Sequence, residues 1–168
     1  MALTYIRDLA EELIDRYGTR NPFKLCKELD IDVVYDDIGS LKGLYTIIMD
    51  CKFILINVNL NKYMKKIVCA HELGHEFLHH EFAQDKIIKE FMIYDMKSRP
   101  EYEANIFACH ILLDDKEVYN YAKDGCDAQQ IASLLNSDVN LVSLKLNEMI
   151  CDGYNLRDVN ISRSNFMK

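Results

Sequence analysis

His71-Glu72-Leu73-Gly74-His75, preceded by Lys65-Lys66-Ile67-Val68-Cys69-Ala70 and followed by Glu76-Phe77-Leu78-His79-His80, reads as one proline-free helix from about Asn61 to His80. On a helix, positions i and i+4 lie one above the other on the same face. Two imidazoles so placed can grip one metal ion, zinc before others, with Glu72 beside them as general base for a water. Gly74 costs that helix about 1 kcal/mol relative to alanine, and it removes bulk where another backbone can approach closely.

A catalytic zinc takes three protein ligands and keeps a fourth position for water. His79 continues the i, i+4, i+8 series, but its Cα is about 12 Å along the axis from that of His71, too far for the same ion. The pattern H-E-x-x-H-x-x-G-x-x-H, which returns a third histidine after a glycine break, is absent, since Leu78 and Glu81 stand in those places. A second helix must supply the ligand. The segment 99–113 fits, with Ser98 as N-cap, Pro100 in the first turn, and an apolar stripe at 104, 107, 108, 111 and 112. Glu103 neighbours the stripe a full turn inside the helix, whereas Glu101 is explained by the helix dipole alone. Glu103 is the preferred third ligand, with Glu101 and then His110 as alternatives.

At this point the chain resembles a known family. His71-Glu72-Leu73-Gly74-His75, followed after a helix and a loop by Glu101-Tyr102-Glu103-Ala104-Asn105-Ile106-Phe107-Ala108, is similar to the ImmA/IrrE family of zinc metallopeptidases. The family's second signature is E-x-E-A-N/D-x-F-A, and its second glutamate maps to Glu103. Gly43-Leu44-Tyr45 and Ile54-Leu55-Ile56-Asn57 match the family's two strands before the zinc helix, with Asn59-Leu60-Asn61 at that helix's start. The two signatures are specific together and neither is so alone; the resemblance covers about residues 1–150. It implies a gluzincin-like, zinc-dependent peptidase that cuts a partner transcriptional repressor, often one encoded beside it on a mobile element or in a stress-response pair.

Composition narrows the classes further. The chain has 168 residues, long enough for a sizeable core, and 49% of them are apolar, which excludes intrinsic disorder. No apolar run approaches the roughly 20 residues of a membrane span. The N-terminus carries acids early and no basic stretch, so a cytoplasmic location is expected. Six cysteines at 26, 51, 69, 109, 126 and 151 form no C-x-x-C pair, and are read as buried small apolar residues in a reducing compartment. A net charge of −7 suits a basic protein partner better than a phosphate backbone, so no direct nucleic-acid binding is expected.

The remaining periodicities outline an α+β fold: a small zincin-like domain whose three-stranded sheet packs on the zinc helix, with extra N- and C-terminal helices. Helical spacing over 3–17 ends at Gly18, and Asn21-Pro22 starts a second helix that runs to Leu29. Strands are read at 31–35, 43–49 and 53–58, the last two as a hairpin turning at Asp50-Cys51-Lys52. Residues 81–98 read as a long loop whose Phe91-Met92-Ile93-Tyr94 either seats substrate or packs on the core. Helices at about 115–123, 127–136 and 139–150 form a cap that completes one domain over 1–153, and 154–168 form a loosely ordered tail. Residues 130–142 also carry the apolar spacing of a helix-turn-helix, but the second helix offers Lys145 against Glu148 and Asp152, with no arginine cluster for base readout.

The expected chemistry is peptide hydrolysis with zinc on His71, His75 and Glu103, and Glu72 as base, acting on a helix-turn-helix repressor. The free edge of the hairpin at 43–58 is a candidate pairing site for an extended substrate, unless the N-terminal helices block it. The alternative is a non-catalytic, metal-containing anti-repressor module. Structural zinc sites are usually closed by four protein ligands and rich in cysteine, so the size of the coordination shell separates the two readings.

Overall fold

The computed structural model describes residues 4–85, 88–90 and 98–156. Along the chain these form α1 (Thr4–Tyr17), α2 (Pro22–Glu28), β1 (Ile31–Asp36), β2 (Gly43–Ile48), β3 (Cys51–Asn57), α3 (Lys62–Asp85), β4 (Ile88–Glu90), α4 (Arg99–Leu112), α5 (Asp115–Lys123), α6 (Ala128–Leu134) and α7 (Val139–Cys151). The fold is α+β. Local chemistry sets most boundaries: Gly18 ends α1 at φ +64°, and the Asn21 side chain accepts from the Phe23 and Lys24 amides to cap α2. Ser98, Asp114, Asp127 and Asp138 cap the four helices of the C-terminal half in the same way.

The sheet order is β1-β3-β2-β4, with β1 parallel to β3 and β2 antiparallel to both of its neighbours. Met49 and Asp50 both take positive φ, and Ile48 pairs with Cys51. That is a two-residue hairpin of the I′ kind, one residue earlier than the sequence suggests, so Cys51 already belongs to β3. The fourth strand comes from the segment expected to be a loop. Ile88–Glu90 pairs with Gly43–Tyr45, so that part of the expected free edge of the hairpin is taken by the chain itself and not by the N-terminal helices. The Phe91–Tyr94 stretch and the tail beyond Leu156 lie outside the described residues.

Helix α3 is enclosed by β2 and β3 on one side and by α4 on another. Residues 67–76 are all buried, polar ones included, which is what a helix surrounded by other elements shows. Gly74 permits a close backbone contact with α4: a methyl group there would stand 3.0 Å from Ala104 Cα and 3.2 Å from the Ala104 carbonyl oxygen. Phe77 and Phe107 stack across the same interface, ring centroids 5.9 Å apart.

The helical cap packs on α4 through α7. Leu141 to Leu146 are consecutively buried in the core. Lys145, the one base in that run, is 0% exposed and is tied to the Asp115 carboxylate and to His110 Nδ1 at 2.8 Å. Among the described residues, no helix is long and apolar enough to cross a membrane. Cys26, Cys69 and Cys109 are buried as expected, but Cys51 and Cys151 are exposed; one starts a strand beside a turn and the other ends a helix.

Candidate metal centre

Helix α3 brings the two histidines of the motif together as its geometry requires. Their Nε2 atoms face one another at 3.1 Å, and both rings are fully buried. The carboxylate that joins them is Glu101. Its oxygens lie 3.4 Å from His71 Nε2 and 3.6 Å from His75 Nε2, and the three donors fall within 4.8 Å of one another.

Glu103, the expected third ligand, is not brought to the pair. It lies 3.1 Å from His79 Nε2 and accepts from Arg99 Nε at 2.7 Å and the Tyr5 hydroxyl at 3.0 Å. The reason is rotational. Ala104 marks where α4 touches Gly74, and at about 100° per residue Glu101 sits about 60° from that line while Glu103 sits about 100° away on the other side. The first-turn position, discounted in the sequence as a dipole effect, is thus the one that faces α3. His110 lies elsewhere, against Lys145.

Sequence reasoning also missed Asn105, whose Oδ1 lies 3.0 Å from His71 Nδ1. The signal was present: Glu101 and Asn105 are an i, i+4 pair on one face, which sets a carboxylate beside the two Nε2 atoms and an amide behind the His71 ring. His79 takes the corresponding place at the second ring, its Nδ1 3.1 Å from His75 Nδ1. Lower on α3, the buried Glu76 is bonded by Tyr45, by Lys52 at 2.6 Å and by His80 at 3.0 Å, which pins the helix to the sheet. Burial pushes the Glu76 carboxyl up, but those three partners outweigh it and hold it below the usual carboxylate range.

Glu72 is fully buried and turned toward β2, where a methyl group on Gly43 would come within 2.6 Å of its Oε1. The absence of a side chain at Gly43 is therefore what leaves space for the Glu72 carboxylate between helix and sheet.

The donor set fits a divalent transition metal. Atoms bound tetrahedrally at about 2.0–2.1 Å are roughly 3.3 Å apart. His71 Nε2 is 3.1 Å from His75 Nε2 and 3.4 Å from Glu101 Oε2, while the 3.6 Å from His75 Nε2 is to the other oxygen, Oε1, and two imidazole nitrogens with a carboxylate is a zinc-type set. An α+β domain that presents two helical histidines and a glutamate from a second helix defines the class of metallopeptidases with an H-E-x-x-H helix. The comparisons make this specific. The model of the Peptidase_M78 family, the IrrE N-terminal-like domain, matches residues 26–147, and the chain belongs to that family. It is 34% identical over 143 residues to "Uncharacterized immunity region protein 2" of Bacillus phage phi105, covering 84% of this chain and 89% of the phage protein. It is 29% identical over 147 residues to "Metallopeptidase ImmA" of Bacillus subtilis (strain 168), covering 86% and 85% of the two chains.

Proposed function

We propose that the protein is a zinc-dependent metalloendopeptidase that acts in the cytoplasm and makes a site-specific cut in a helix-turn-helix transcriptional repressor. One observation carries the reading: His71, His75 and Glu101 converge on one point while Glu72, next along the helix, adds a second carboxylate that is not among the three. A structural zinc site has no use for that extra acid, and among the described residues no cysteine joins the cluster. This favours hydrolysis over a purely structural metal. The names of the two relatives, one a metallopeptidase and one from an immunity region, support a repressor as substrate.

Zinc held by His71, His75 and Glu101 would supply Lewis-acid chemistry, making a water more acidic and the scissile carbonyl more electrophilic. These three donors would hold it with a single negative charge, so part of its own charge would stay uncompensated. Glu72 takes the proton from the attacking water as the new C–O bond forms, then delivers it to the leaving amine nitrogen as the C–N bond breaks. Gly43 keeps room for that carboxylate to turn between the two positions.

The test is to incubate the purified protein with the repressor encoded beside it, with and without chelator, and to map fragments by mass spectrometry. One cut, lost on chelation and in Glu72→Gln, is expected. An intact repressor under all conditions, despite binding, returns the non-catalytic reading. Binding should weaken as salt rises, because the chain carries −7 and a DNA-binding partner is basic. Casein should be cut far more slowly.

A further inference from the structure

Helix α3 is not regular through its second half. His79 has φ −136° and ψ 23°, outside the helical region, and the helix kinks there. The His79 ring lies against His75 with centroids 5.2 Å apart. His79 and Glu103 are 5% and 7% exposed, so the chain of contacts from His75 through His79 to Glu103 is shielded from water.

Counting protons along that chain fixes its direction. Two Nδ1 atoms at 3.1 Å share one hydrogen, and either ring can be the donor. If His79 donates, His75 carries its own proton on Nε2 and cannot bind a metal there. His79 Nε2 is then left bare against a Glu103 oxygen at 3.1 Å, acceptor facing acceptor. If His75 donates, its Nε2 lone pair is free for the ion, and His79 carries its proton on Nε2 and gives it to Glu103. The second arrangement satisfies both contacts of the His79 ring and leaves the His75 Nε2 lone pair, 3.1 Å from His71 Nε2, for the ion. It requires Glu103 to be an acceptor, and Arg99 Nε at 2.7 Å and the Tyr5 hydroxyl at 3.0 Å hold it ionised.

We propose that His79 and Glu103 are positioning residues: Glu103 sets the tautomer of His79, and His79 in turn sets the tautomer and ring orientation of His75 for metal binding. The inference rests on the assignment of His71, His75 and Glu101 as metal donors. It gives His75 the counterpart of Asn105 at His71, so each ring has a dedicated acceptor behind it.

The experiment is zinc binding by competition with a chromophoric chelator, together with long-range 1H–15N spectra of the histidine rings in the zinc-free and zinc-loaded protein. His79→Phe should weaken zinc binding by about 10- to 100-fold. His79→Asn, which places an amide oxygen behind His75 as Asn105 does behind His71, should recover most of that loss. In the wild type, spectra should report His79 protonated on Nε2, and Glu103→Ala should mix its tautomers while the protein remains folded by circular dichroism. Wild-type zinc affinity in His79→Phe, or a wild-type His79 protonated on Nδ1, overturns the proposal. Should Glu101→Ala bind zinc as tightly as wild type, the donor assignment fails and the proposal falls with it. Loss of zinc in Glu101→Ala beside unchanged affinity in His79→Phe overturns the proposal alone.

Discussion

Gly43 of β2 lies so close to Glu72 of α3 that a methyl group on the glycine would stand 2.6 Å from the Glu72 Oε1 and 2.3 Å from Val68 Cγ1. The carboxylate end can swing away, but Val68 is β-branched and stiff on a helix. Gly43→Ala must therefore displace Glu72, lift the strand, or both. We expect repressor cleavage to fall by at least about tenfold, since small misplacements of a catalytic group cost up to about 100-fold. Zinc stoichiometry should stay near wild type. Cleavage at the wild-type rate argues that Glu72 works from a different position.

Glu72→Gln separates chemistry from binding. The amide keeps the shape but cannot take a proton, so zinc should remain bound while cleavage drops by about 100-fold or more, the usual worth of a general base. Metal analysis and a fragment time course on one preparation decide it. Loss of the metal in this variant would make Glu72 a ligand.

Glu101→Ala and Glu103→Ala should rank in the order opposite to the sequence expectation. Removing Glu101 takes a donor from the ion and should weaken zinc by more than about 100-fold, beyond the range of an outer partner, whereas removing Glu103 should stay within that range. Calorimetric titration of both variants gives the order. A larger loss in Glu103→Ala reverses the assignment of the third donor.

Much of this was legible in one sequence, and the places where the structure differs from that reading have a common form. A strong periodic signal gave the first helix, since Ile6, Leu9 and Leu13 recur at helical spacing, and Ile6 and Leu13 are buried. The H-E-x-x-H spacing is a property of a single helix, so His71 and His75 could be paired without knowing the fold. Glu101 could not be chosen over Glu103 in that way. The choice depends on how α4 is rotated against α3, and that rotation is set by the contact of Gly74 with Ala104, a relationship between two helices. β4 escaped for a related reason: three residues are too few to show a period, and only the neighbouring edge of β2 makes them a strand.

Gly74→Ala tests that contact directly. Alanine favours a helix interior by about 1 kcal/mol, but its methyl would meet Ala104 Cα at 3.0 Å and the carbonyl oxygen at 3.2 Å, both backbone atoms that cannot rotate away. Overpacking of this kind costs about 1–3 kcal/mol, so the net change should be destabilising. Urea unfolding of the metal-free protein reads it, and a stabilised variant contradicts so close an approach of the helices.

His110 should make the protein acid-sensitive well before its carboxylates titrate. Burial, and then the positive charge of Lys145, pull its pKa down to about 3 from the ordinary 6.5. Between those values the unfolded chain binds a proton that the folded chain refuses. The stabilisation is thus complete above about pH 6.5 and is lost as pH falls toward 3, at no more than about 1.4 kcal/mol per pH unit. His110→Asn keeps an acceptor for Lys145 but cannot titrate, so its stability should fall less steeply between pH 6.5 and 5. Equal slopes in the two metal-free proteins would mean that His110 is protonated in the fold.

The short strand β4 also changes what it takes to reach this site. It is covalently joined to the sheet it pairs with, so it competes for Gly43–Tyr45 as an intramolecular ligand, at an effective concentration of roughly millimolar order for a short connection. A free peptide that pairs with those residues must outbid that figure from solution. A partner already docked elsewhere on the surface presents its own segment on comparable terms. Selectivity for a docked protein over loose peptides can therefore arise from the strand order alone, before any side chain of the substrate is recognised.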